Sequence, residues 1–540
     1  MNPLPLLDFD AQAHFPELIQ ADAFQLALSQ VLPDYMNRQR WFTSKGKAIQ
    51  SVQITHAFPL TDLTAIILTQ VDFTDSSREH YQLPIAWNWE PEWLDDLQNF
   101  NSHLAIAQID QPAKVILSDA INRASFRRVL FQRLLQKDEQ QDGLSSDQGR
   151  LLTLVDPNEI ESTVPHLDTS NTAIIYNGQF FYKLFRKLDE GLNPDLELVR
   201  FLSEQSNFDN SPRYGGSLSL GKLTDDNFIN LGICIGKIDN HGDAWDLFQQ
   251  LSRDFYARVL DYGVAAVPNG PIATSFADLS PTEARLIGKT TYQRVQLLGQ
   301  RTAEMHLALA SEAAQSPVMV PEPLSEDYRK EISAAALHLF DRQLVLLQNR
   351  IADLDGANLD LAQRIIAQQG VIRQRLAALR DRPMPALLTR IHGDYHLGQV
   401  LYDDHDFYII DFEGEPLLSI PERQRKRPPF KDVAGMIRSL HYAARGQLLL
   451  NFSYRPEDVE ALGPWGNWWF RTLRAAYLNS YLSTIGDHPM LPPASVDQEL
   501  LLDIFVLEKA VYEVAYELNS RPDWLGIPLQ GVLFALEDAI

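Results

Sequence analysis

The chain has 540 residues, of which 45% are apolar and 22% charged, so it is long enough for roughly two to four compact units with large buried cores. Its net charge of −24 produces an average field that repels phosphate backbones, which argues against nucleic acid as a partner. No stretch approaches the roughly 18 uninterrupted apolar residues of a membrane helix, so we expect no membrane span.

The first residues, MNPLPLLDFDAQAHFPEL, lack the basic region, apolar run and small-residue cleavage site of a secretory signal. The chain has a single cysteine, Cys234, so it cannot form an internal disulfide. Proteins without a disulfide framework are typical of the cytoplasm, where thiols stay reduced. We therefore expect a cytoplasmic protein.

The N-terminal part of the chain carries β patterns between short helices. Residues 20–40 have an apolar helical pattern, whereas the runs between Ile49 and Thr74, and YQLPIAW after them, alternate as strands do. Residues 91–136 have a helical pattern again. Residues 137–149, KDEQQDGLSSDQG, are polar and aperiodic, which predicts a surface loop.

Strand patterns return between Arg150 and Phe185, where the sharpest local signal is AIIYNGQFFYKLF. Asn177-Gly178 separates two β-prone runs there and favours the type I′ turn of a two-residue hairpin. After Trp245 the chain is almost entirely helical. Long periodic stretches cover residues 285–310, 327–380, 432–450, 466–484 and 498–519. We predict an α+β fold with two lobes, the second larger, mostly helical and containing one β-hairpin.

That hairpin lies in residues 390–416, RIHGDYHLGQVLYDDHDFYIIDFEGEP. The β-prone runs at 400–402 and 407–410 are joined by four residues that favour a turn. Folding the chain about this turn brings Gln399 beside Asp411. An amide oxygen and a carboxylate facing one space suit a hard cation such as Mg²⁺.

Asp394 lies on the loop that leads into the hairpin, five residues before Gln399. In phosphoryl transfer, one Asp that orients a hydroxyl and two ligands that hold Mg²⁺ form a sufficient core, because the protein mainly positions groups and neutralises charge. The order Asp, amide, Asp at this spacing is that of eukaryotic-like kinases, with glutamine here in place of asparagine. A zinc site from His392, Asp394 and His396 is a weaker alternative, because it lacks an evident fourth ligand.

A kinase also needs a cation for the ATP phosphates, usually a strand lysine. Lys183 lies on the second strand of the Asn-Gly hairpin and shares a face with two phenylalanines. Ser170, Asn171 and Thr172 precede the first strand, where a kinase has its glycine-rich loop. They contain no GxGxxG, so we expect their backbone amides and hydroxyls to contact the nucleotide instead.

The helix that follows supplies the acidic partner of that lysine. Asn193 followed by a proline is typical of a helix start, and Glu197 lies in the first turns. We predict Glu197 as the partner, with Glu190 and Asp195 as alternatives.

The stretch 498–519 carries two stripes of side chains. An apolar stripe for the core runs through positions 504, 507, 511, 514 and 518. A second stripe holds Lys509, Tyr512 and Tyr516, which can offer a disaccharide a stacking surface and hydroxyl-binding groups. We take these three, with His396, as candidate substrate contacts. The alternative is a helix packed on its neighbours with tyrosine hydroxyls at the rim.

Together these residues resemble the maltokinase family, a bacterial branch of the eukaryotic-like kinases related to aminoglycoside phosphotransferases. The resemblance spans nearly the whole chain, and HGDYHLGQ with IDFEGEP is its most specific part. Its other carriers are RQRWFTSKGK at 38–47, the segment 169–198, NHGDAWD at 240–246, LGQRTAEMHLAL at 298–309, RQRKRPPFKDVAGMIRSL at 423–440 and LEKAVYEVAYELNSRPDWLGIPL at 507–529.

The resemblance implies ATP-dependent, Mg²⁺-assisted phosphorylation of maltose to maltose 1-phosphate. This product feeds α-glucan (glycogen) synthesis linked to trehalose metabolism, and the resemblance suggests association with trehalose synthase. It also implies a bilobal kinase fold with an N-terminal cap. We place the cap at residues 1–110, the rest of the N-lobe at 111–243 and the helical C-lobe at 244–540.

The resemblance also assigns roles to the matching residues. Asp394 matches the catalytic base, and Gln399 and Asp411 match the metal ligands. Lys183 matches the phosphate-contacting lysine, and Glu413 is placed for a further metal or sugar contact.

Two further residues are expected to support the catalytic loop. The resemblance implies that Asp432, at the start of the helix that contains VAGMIRSL, braces this loop. We place His392, within the loop itself, in the same supporting role.

Two alternatives remain open. Glucosamine kinase shares the HGDxHLGQ and DFEGEP type of signature; an amino-sugar acceptor should favour acidic contacts, whereas maltose needs a longer, more aromatic groove. A pseudokinase that acts as a partner or regulator of an α-glucan enzyme is an alternative of another class. The intact catalytic set argues against it, namely Lys183, Asp394, Gln399 and Asp411. Protein kinase activity is not expected, because no Ala-Pro-Glu element follows Asp411.

Overall fold

A computed structural model describes residues 4–110, 112–136, 143–165, 170–222, 228–263, 266–311, 318–450 and 454–537. The chain divides into two compact units. The first comprises Met1–Arg200 and Pro212–Ile238, and the second comprises Phe201–Ser211 and Asp239–Ile540. The predicted divisions after residues 110 and 243 stay predictions. Within the described ranges, no helix combines the length and apolar character needed to cross a membrane.

The described part of the first unit contains twelve strands in two antiparallel sheets. They are β1 (Ile49–Thr61), β2 (Thr64–Phe73), β3 (Arg78–Asn88), β4 (Ala105–Ile109), β5 (Val115–Asp119), β6 (Leu144–Gln148), β7 (Ser162–Thr163), β8 (Thr172–Tyr176), β9 (Phe180–Leu184), β10 (Lys187–Leu188), β11 (Tyr214–Leu220) and β12 (Ile229–Gly236). One sheet has the order β1-β2-β3-β5-β4, with β10 paired to β3, and the other has the order β6-β11-β12-β9-β8-β7.

Five described α-helices accompany these sheets, and the last of them continues into the second unit after Arg200. They are α1 (Phe15–Leu18), α2 (Asp22–Arg38), α3 (Pro91–Asn99), α4 (Ala124–Leu135) and α5 (Pro194–Gln205). Side chains of α2, such as Phe24 and Leu28, share one buried cluster with Ile67 and Tyr81 of the first sheet. This cluster is the core of the N-terminal region.

Two sequence predictions in this unit were wrong. Residues 91–136 are not all helical, because β4 and β5 lie between α3 and α4. Each has only five residues, a length that suits a buried strand better than a helix. The predicted loop 137–149 contains β6, which pairs with β11, while residues 137–142 lie outside the described ranges.

The Asn-Gly hairpin forms as predicted, with β8 antiparallel to β9. Asn177 and Gly178 have φ of 50° and 65°, the positive values that a type I′ turn requires. The N–H of Gln179 donates to the carbonyl of Tyr176 at 2.9 Å, and Tyr176 pairs with Phe180. The connection therefore has three residues, one more than predicted.

The described part of the second unit is mostly helical. Its helices are α6 (Ala244–Tyr262), α7 (Pro281–Ile287), α8 (Lys289–Leu309), α9 (Glu326–Arg350), α10 (Gly356–Ala367), α11 (Gln369–Ala377), α12 (Ile420–Arg423), α13 (Phe430–Leu450), α14 (Pro456–Ile485), α15 (Ser495–Ser520) and α16 (Gly526–Glu537). Two small antiparallel sheets pair β13 (Glu322–Pro323) with β14 (Leu387–Leu388) and β15 (Val400–Tyr402) with β16 (Phe407–Ile409). Every predicted periodic stretch lies on helices, and the α+β fold class is confirmed.

The helices around α13 position residues 390–416, which we call the catalytic segment. Helix α13 packs against α6, α14 and α15. The predicted apolar stripe of α15 is buried at all five positions, namely Ile504, Leu507, Val511, Val514 and Leu518. The opposite stripe of α15 is thereby left for the site described next.

Candidate active site

The hairpin β15–β16 forms as predicted and fixes the ends of the catalytic segment. Val400 pairs with Ile409, and the N–H of Ile410 donates to the carbonyl of Gln399 at 3.0 Å. The turn is held by Asp403, whose Oδ1 accepts the N–H groups of His405 and Asp406 at 2.7 and 2.6 Å. Gln399 therefore lies opposite Ile410, one residue before Asp411, whereas the sequence analysis placed it beside Asp411 itself.

Asp432 holds the loop that precedes Asp394. Its carboxylate, 2% exposed, accepts the backbone N–H of His392 at 2.7 Å and that of Gly393 at 3.0 Å. The ring of His392 donates from Nε2 to the carbonyl of Ile410 at 2.9 Å, which ties the loop to the end of β16. Both predicted supporting residues thus contact the backbone of the catalytic segment.

The predicted metal ligands lie at the ends of the hairpin. Asp411 has a φ of 64°, a conformation that is uncommon outside glycine and that clusters at functional sites. A carboxylate oxygen of Asp411 lies within 4.8 Å of one of Glu413. Two half-buried carboxylates at this separation suit an oxygen-binding divalent cation, so Asp411 and Glu413 fit a magnesium ion. Gln399 lies near them, because its backbone carbonyl accepts the N–H of the residue before Asp411.

Asp394 opens into a cavity of about 580 Å³, which we call the Asp394 cavity. All four predicted substrate contacts line it. Its wall includes Asp243, Trp245, Asp394, His396, Gly398, Glu415, Gly435, Tyr442, Lys509, Tyr512, Glu513, Tyr516, Glu517, Arg521 and Trp524. Cavities of about 300–1,000 Å³ are usual for small-molecule sites.

Three aromatic side chains that sequence reasoning missed form one side of the cavity. The rings of Trp245 and Trp524 are 6.3 Å apart, and Trp524 stacks on Tyr442 at 6.0 Å. Trp245 and Trp524 belong to the quoted segments NHGDAWD and LEKAVYEVAYELNSRPDWLGIPL, which gave a signal for them. Tyr442 had no such signal.

Two glutamates of α15 on the cavity wall are neutralised by arginines. Arg438 donates from Nε to Glu513 at 2.8 Å, and its Nη2 lies 2.7 Å from the same oxygen. Glu517 accepts Arg521 at 2.7 Å and the hydroxyl of Tyr442 at 2.9 Å. These carboxylates are therefore compensated before any ligand enters.

Tyr512 is a neutral hydrogen-bond donor. Burial, the charge of Glu415 and a hydrogen bond to it raise the pKa of Tyr512 to about 12. Lys509 lies 5.3 Å from the centre of the Tyr512 ring. The predicted stripe of α15 thus presents a cation, a phenol donor and, at Tyr516, a half-exposed aromatic face to the cavity.

His396 meets the cavity as an uncharged ring. Burial is the main cause that lowers its pKa from the ordinary value, against the opposing charge of Asp394. Nδ1 of His396 accepts the N–H of Gly398 at 3.1 Å, so the neutral ring carries its proton on Nε2. His396 can therefore donate a hydrogen bond from Nε2.

The first unit contains the predicted phosphate-binding lysine. Nζ of Lys183, with 16% of the side chain exposed, lies 3.2 Å from Oδ2 of Asp195 on α5. Asn193 caps this helix as predicted, because its Oδ1 accepts the N–H of Asp195 at 2.8 Å. Asp195, an alternative in the sequence analysis, is thus a partner of Lys183, while a pairing with Glu197 stays a prediction.

Side chains at the start of β8 and just before it accept hydrogen bonds from the buried residue Arg186. Thr172 accepts Nε of Arg186 at 2.7 Å, and Oδ1 of Asn171 accepts the backbone N–H of Arg186 at 3.3 Å. A phosphate contact from either side chain would compete with these bonds. Ser170 is exposed, and the nucleotide role of the three residues stays a prediction.

Gly435 of α13 lets the catalytic loop approach the helix. A Cβ atom at Gly435 would lie 2.5 Å from the carbonyl oxygen of Tyr395. We expect Gly435→Ala to lower the free energy of unfolding by about 1–3 kcal/mol, because the loop must shift. Gly370→Ala on α11 is the matched control, since nothing lies within 4 Å of a Cβ there. Denaturant titration that finds both variants equally stable would contradict this packing.

Comparisons with known proteins find similarity to sugar kinases. Residues 35–122 match the maltokinase N-terminal cap domain. The chain is 25% identical over 231 residues to glucosamine kinase of Streptacidiphilus jiangxiensis, covering 43% of this chain and 46% of that protein. It is 30% identical over 140 residues to glucosamine kinase of Mycolicibacterium smegmatis, covering 25% of this chain and 32% of that protein. The matches thus span less than half of these curated relatives.

Solved structures share the fold over nearly the whole chain. A glucosamine kinase in crystal form B has a TM-score of 0.64 at 17% identity, covering 97% of this chain and 100% of that chain. The glucosamine kinase complex with glucosamine, ADP and inorganic phosphate has a TM-score of 0.60 at 17% identity, covering 89% and 93%. The predicted kinase-type fold is thereby confirmed, and the match of residues 35–122 supports the resemblance to maltokinases in the N-terminal cap.

Proposed function

We propose that this protein is an ATP-dependent maltokinase that phosphorylates the anomeric hydroxyl of maltose to give maltose 1-phosphate. The observation that carries the proposal is the Asp394 cavity, where the candidate base shares one space with Lys509, Tyr512 and Tyr516 and with an aromatic wall. Aromatic faces suit pyranose rings, and hydroxyl and ammonium groups suit their hydroxyls.

The chemistry assigned to this chain is the transfer of the γ-phosphoryl group. The C1 hydroxyl oxygen bonds to the γ-phosphorus, the bond from that phosphorus to the β–γ bridging oxygen breaks, and ADP leaves. The carboxylate of Asp394 orients the hydroxyl and accepts its proton. His396 donates from Nε2 to a sugar hydroxyl, and Asp432 keeps the loop of Asp394 in place.

The nucleotide and metal are assigned to the residues that fit them. Lys183, held by Asp195, would contact the ATP phosphates, with Ser170, Asn171, Thr172 and Glu197 as further candidates. Asp411 and Glu413, with Gln399, would hold Mg²⁺. A bound Mg²⁺ neutralises the phosphate charge that develops during transfer.

A glucosamine kinase is the second candidate, and the names of the relatives and the acidic groups of the cavity favour it. An ammonium group needs a carboxylate that is not already neutralised. Glu513 and Glu517 are bound to arginines. The partner of Glu415, however, is the neutral hydroxyl of Tyr512, and Asp243 also lines the cavity.

We rank maltose first because of the aromatic wall of Trp245, Tyr442 and Trp524. The match of residues 35–122 to the maltokinase cap favours the same candidate. The use of maltose 1-phosphate in α-glucan synthesis and an association with trehalose synthase rest on the family resemblance, and the cytoplasmic location rests on the single cysteine.

An acceptor panel decides between the two candidates. ATP and Mg²⁺ turnover is measured with maltose, glucosamine, glucose and no sugar, and kcat/KM is compared. We expect the highest kcat/KM with maltose. A higher kcat/KM with glucosamine would replace the first candidate by the second, and nucleotide binding without turnover on any sugar would favour a pseudokinase.

The lowered pKa of His396 predicts a pH dependence of sugar binding. Above the ordinary pKa of about 6.5 the ring is neutral and binds as described. As the pH falls through the lower pKa of the folded protein, protonation puts a donor on Nδ1 and removes the bond from Gly398, so KM for the sugar should rise. In His396→Gln this acid rise should be absent; an identical pH profile of KM in both proteins would contradict the assignment.

A further inference from the structure

One face of α8 contacts the catalytic segment directly at two places and through Asp432 at a third, and no role has yet been given to it. The face comprises Arg301, Thr302 and His306, all within the segment LGQRTAEMHLAL. Thr302 and Arg301 bond the segment that contains Asp394. His306 bonds Asp432, which holds the loop of that segment. We call these residues the α8 face.

His306 reaches the loop through Asp432. The His306 ring is fully buried, with Nε2 3.2 Å from Oδ2 of Asp432 and Nδ1 2.9 Å from the hydroxyl of Tyr481. Asp432 in turn holds the N–H groups of His392 and Gly393. Despite burial, the hydrogen bond and charge of His306 help to hold the pKa of Asp432 below its usual range. His306 therefore keeps this carboxylate charged and oriented toward the loop.

Thr302 contacts the residue that follows Asp394. Its hydroxyl lies 2.9 Å from the hydroxyl of Tyr395 and 3.2 Å from that of Tyr477 on α14. Tyr395 is 2% exposed, so this bond lies in the core. The loop is thus held on the C-terminal side of Asp394 as well as on its N-terminal side.

Arg301 contacts the turn of the hairpin. Its guanidinium binds Asp406 through Nε at 2.7 Å and Nη2 at 2.6 Å, and Nη1 binds Glu304 at 2.6 Å. A bidentate arginine–carboxylate pair fixes both distance and orientation. The hairpin therefore cannot rotate freely relative to α8.

The close approach of α8 to α14 depends on Gly299. A Cβ atom at Gly299 would lie 2.3 Å from the carbonyl oxygen of Tyr477. This approach brings the hydroxyls of Tyr477 and Tyr481 against Thr302 and His306. Helix α14 thus fixes two residues of the α8 face through its tyrosine hydroxyls.

We propose that Arg301, Thr302 and His306 are positioning residues, which hold Asp394 in its reacting geometry through Asp432, Tyr395 and Asp406. This inference rests on the proposed phosphoryl transfer. None of the three lines the Asp394 cavity, so they act through the catalytic segment. A displacement of a reacting group by about 1 Å can cost about 10²-fold in rate.

The test compares three variants of the full-length protein. His306→Leu removes the donor to Asp432, His306→Gln retains an amide donor at similar reach, and His338→Leu on α9 is the matched control. We expect His306→Leu to lower kcat by about 10²-fold with KM for ATP and sugar within about twofold of wild type. The kcat of His306→Gln should be at least about tenfold higher than that of His306→Leu, and the kcat of His338→Leu should equal that of wild type.

A merely structural role for His306 gives a different result. A folded His306→Leu variant with unchanged kcat, or with a change in KM alone, would overturn the proposal, and so would a His306→Gln variant no better than His306→Leu. If His306→Leu does not fold, Thr302→Val is measured in its place, because it keeps the side-chain shape and removes the bond to Tyr395. Unchanged kcat in that variant counts against the proposal equally.

A second readout separates this inference from the proposed function. The rate of hydrogen exchange at the backbone amides of residues 390–396 can be measured without any sugar substrate. It should be higher in His306→Leu than in wild type and in His338→Leu. If the wild type phosphorylates no sugar, the proposed function fails, while unchanged exchange in His306→Leu would overturn the positioning role.

Discussion

Asp394→Asn should reduce sugar-dependent turnover by about 10²–10⁴-fold, the usual contribution of a general base. Asparagine has nearly the shape of aspartate but cannot take the hydroxyl proton. The loop should keep its fold, because the hydrogen bond that Asp394 makes with His392 comes from the backbone N–H. KM for ATP should therefore change little. Initial rates at saturating ATP and sugar measure the effect.

Asp404→Asn is the control for this prediction. Asp404 lies in the turn of the same hairpin, and its side chain is 75% exposed, so its variant should retain wild-type turnover. Turnover of Asp394→Asn within about tenfold of wild type would exclude a general-base role of ordinary size.

Asp411→Asn should lower kcat/KM by at least about 10²-fold and raise the Mg²⁺ concentration needed for half-maximal rate. A metal ion supplies several kcal/mol of charge stabilisation, and about 1.4 kcal/mol corresponds to tenfold in rate. Asparagine tolerates the φ of 64° at this position, so the backbone should persist. Rates measured across a Mg²⁺ titration give both quantities.

Asp411→Ala separates the metal contact from the backbone. Alanine loses about 1–2 kcal/mol in this left-handed conformation, so Asp411→Ala should unfold at lower denaturant than Asp411→Asn although both lose the charge. A Mg²⁺ requirement unchanged in both variants would show that Asp411 is not a metal ligand.

Local patterns in the sequence predicted the catalytic hairpin and the buried stripe of α15. The hairpin follows from two β-prone runs around a turn, which sets Gln399 opposite the end of β16 without long-range information. The stripe of α15 follows from helical periodicity, which also placed Lys509, Tyr512 and Tyr516 on the cavity side.

Features that depend on packing between distant segments were not predicted. β4 and β5 gain their hydrogen bonds from each other and from β3, so their five-residue runs have no clear signal alone. The sequence offered three acidic candidates for Lys183, and that Asp195 contacts it depends on the rotation of α5 about its axis. Tyr442 joins the cavity only through the packing of α13 on α15.

The contacts of the α8 face could not be predicted from the sequence either. LGQRTAEMHLAL was recognisable as a motif, but nothing in it indicates that His306 lies 3.2 Å from Asp432, 126 residues later. Contacts at such separation come from the packing of α8, α13 and α14, which sequence spacing does not give.

The central claim is phosphoryl transfer to the anomeric hydroxyl of maltose, and the most direct test identifies the product. Protein, ATP, Mg²⁺ and maltose are incubated, and ³¹P–¹H correlation spectra are recorded with Asp394→Asn in parallel. We expect ADP and a sugar phosphate in equal amounts, with phosphorus coupled to the proton at C1, and neither with the variant. Phosphate at another carbon, or ADP released without sugar phosphate, would contradict the account.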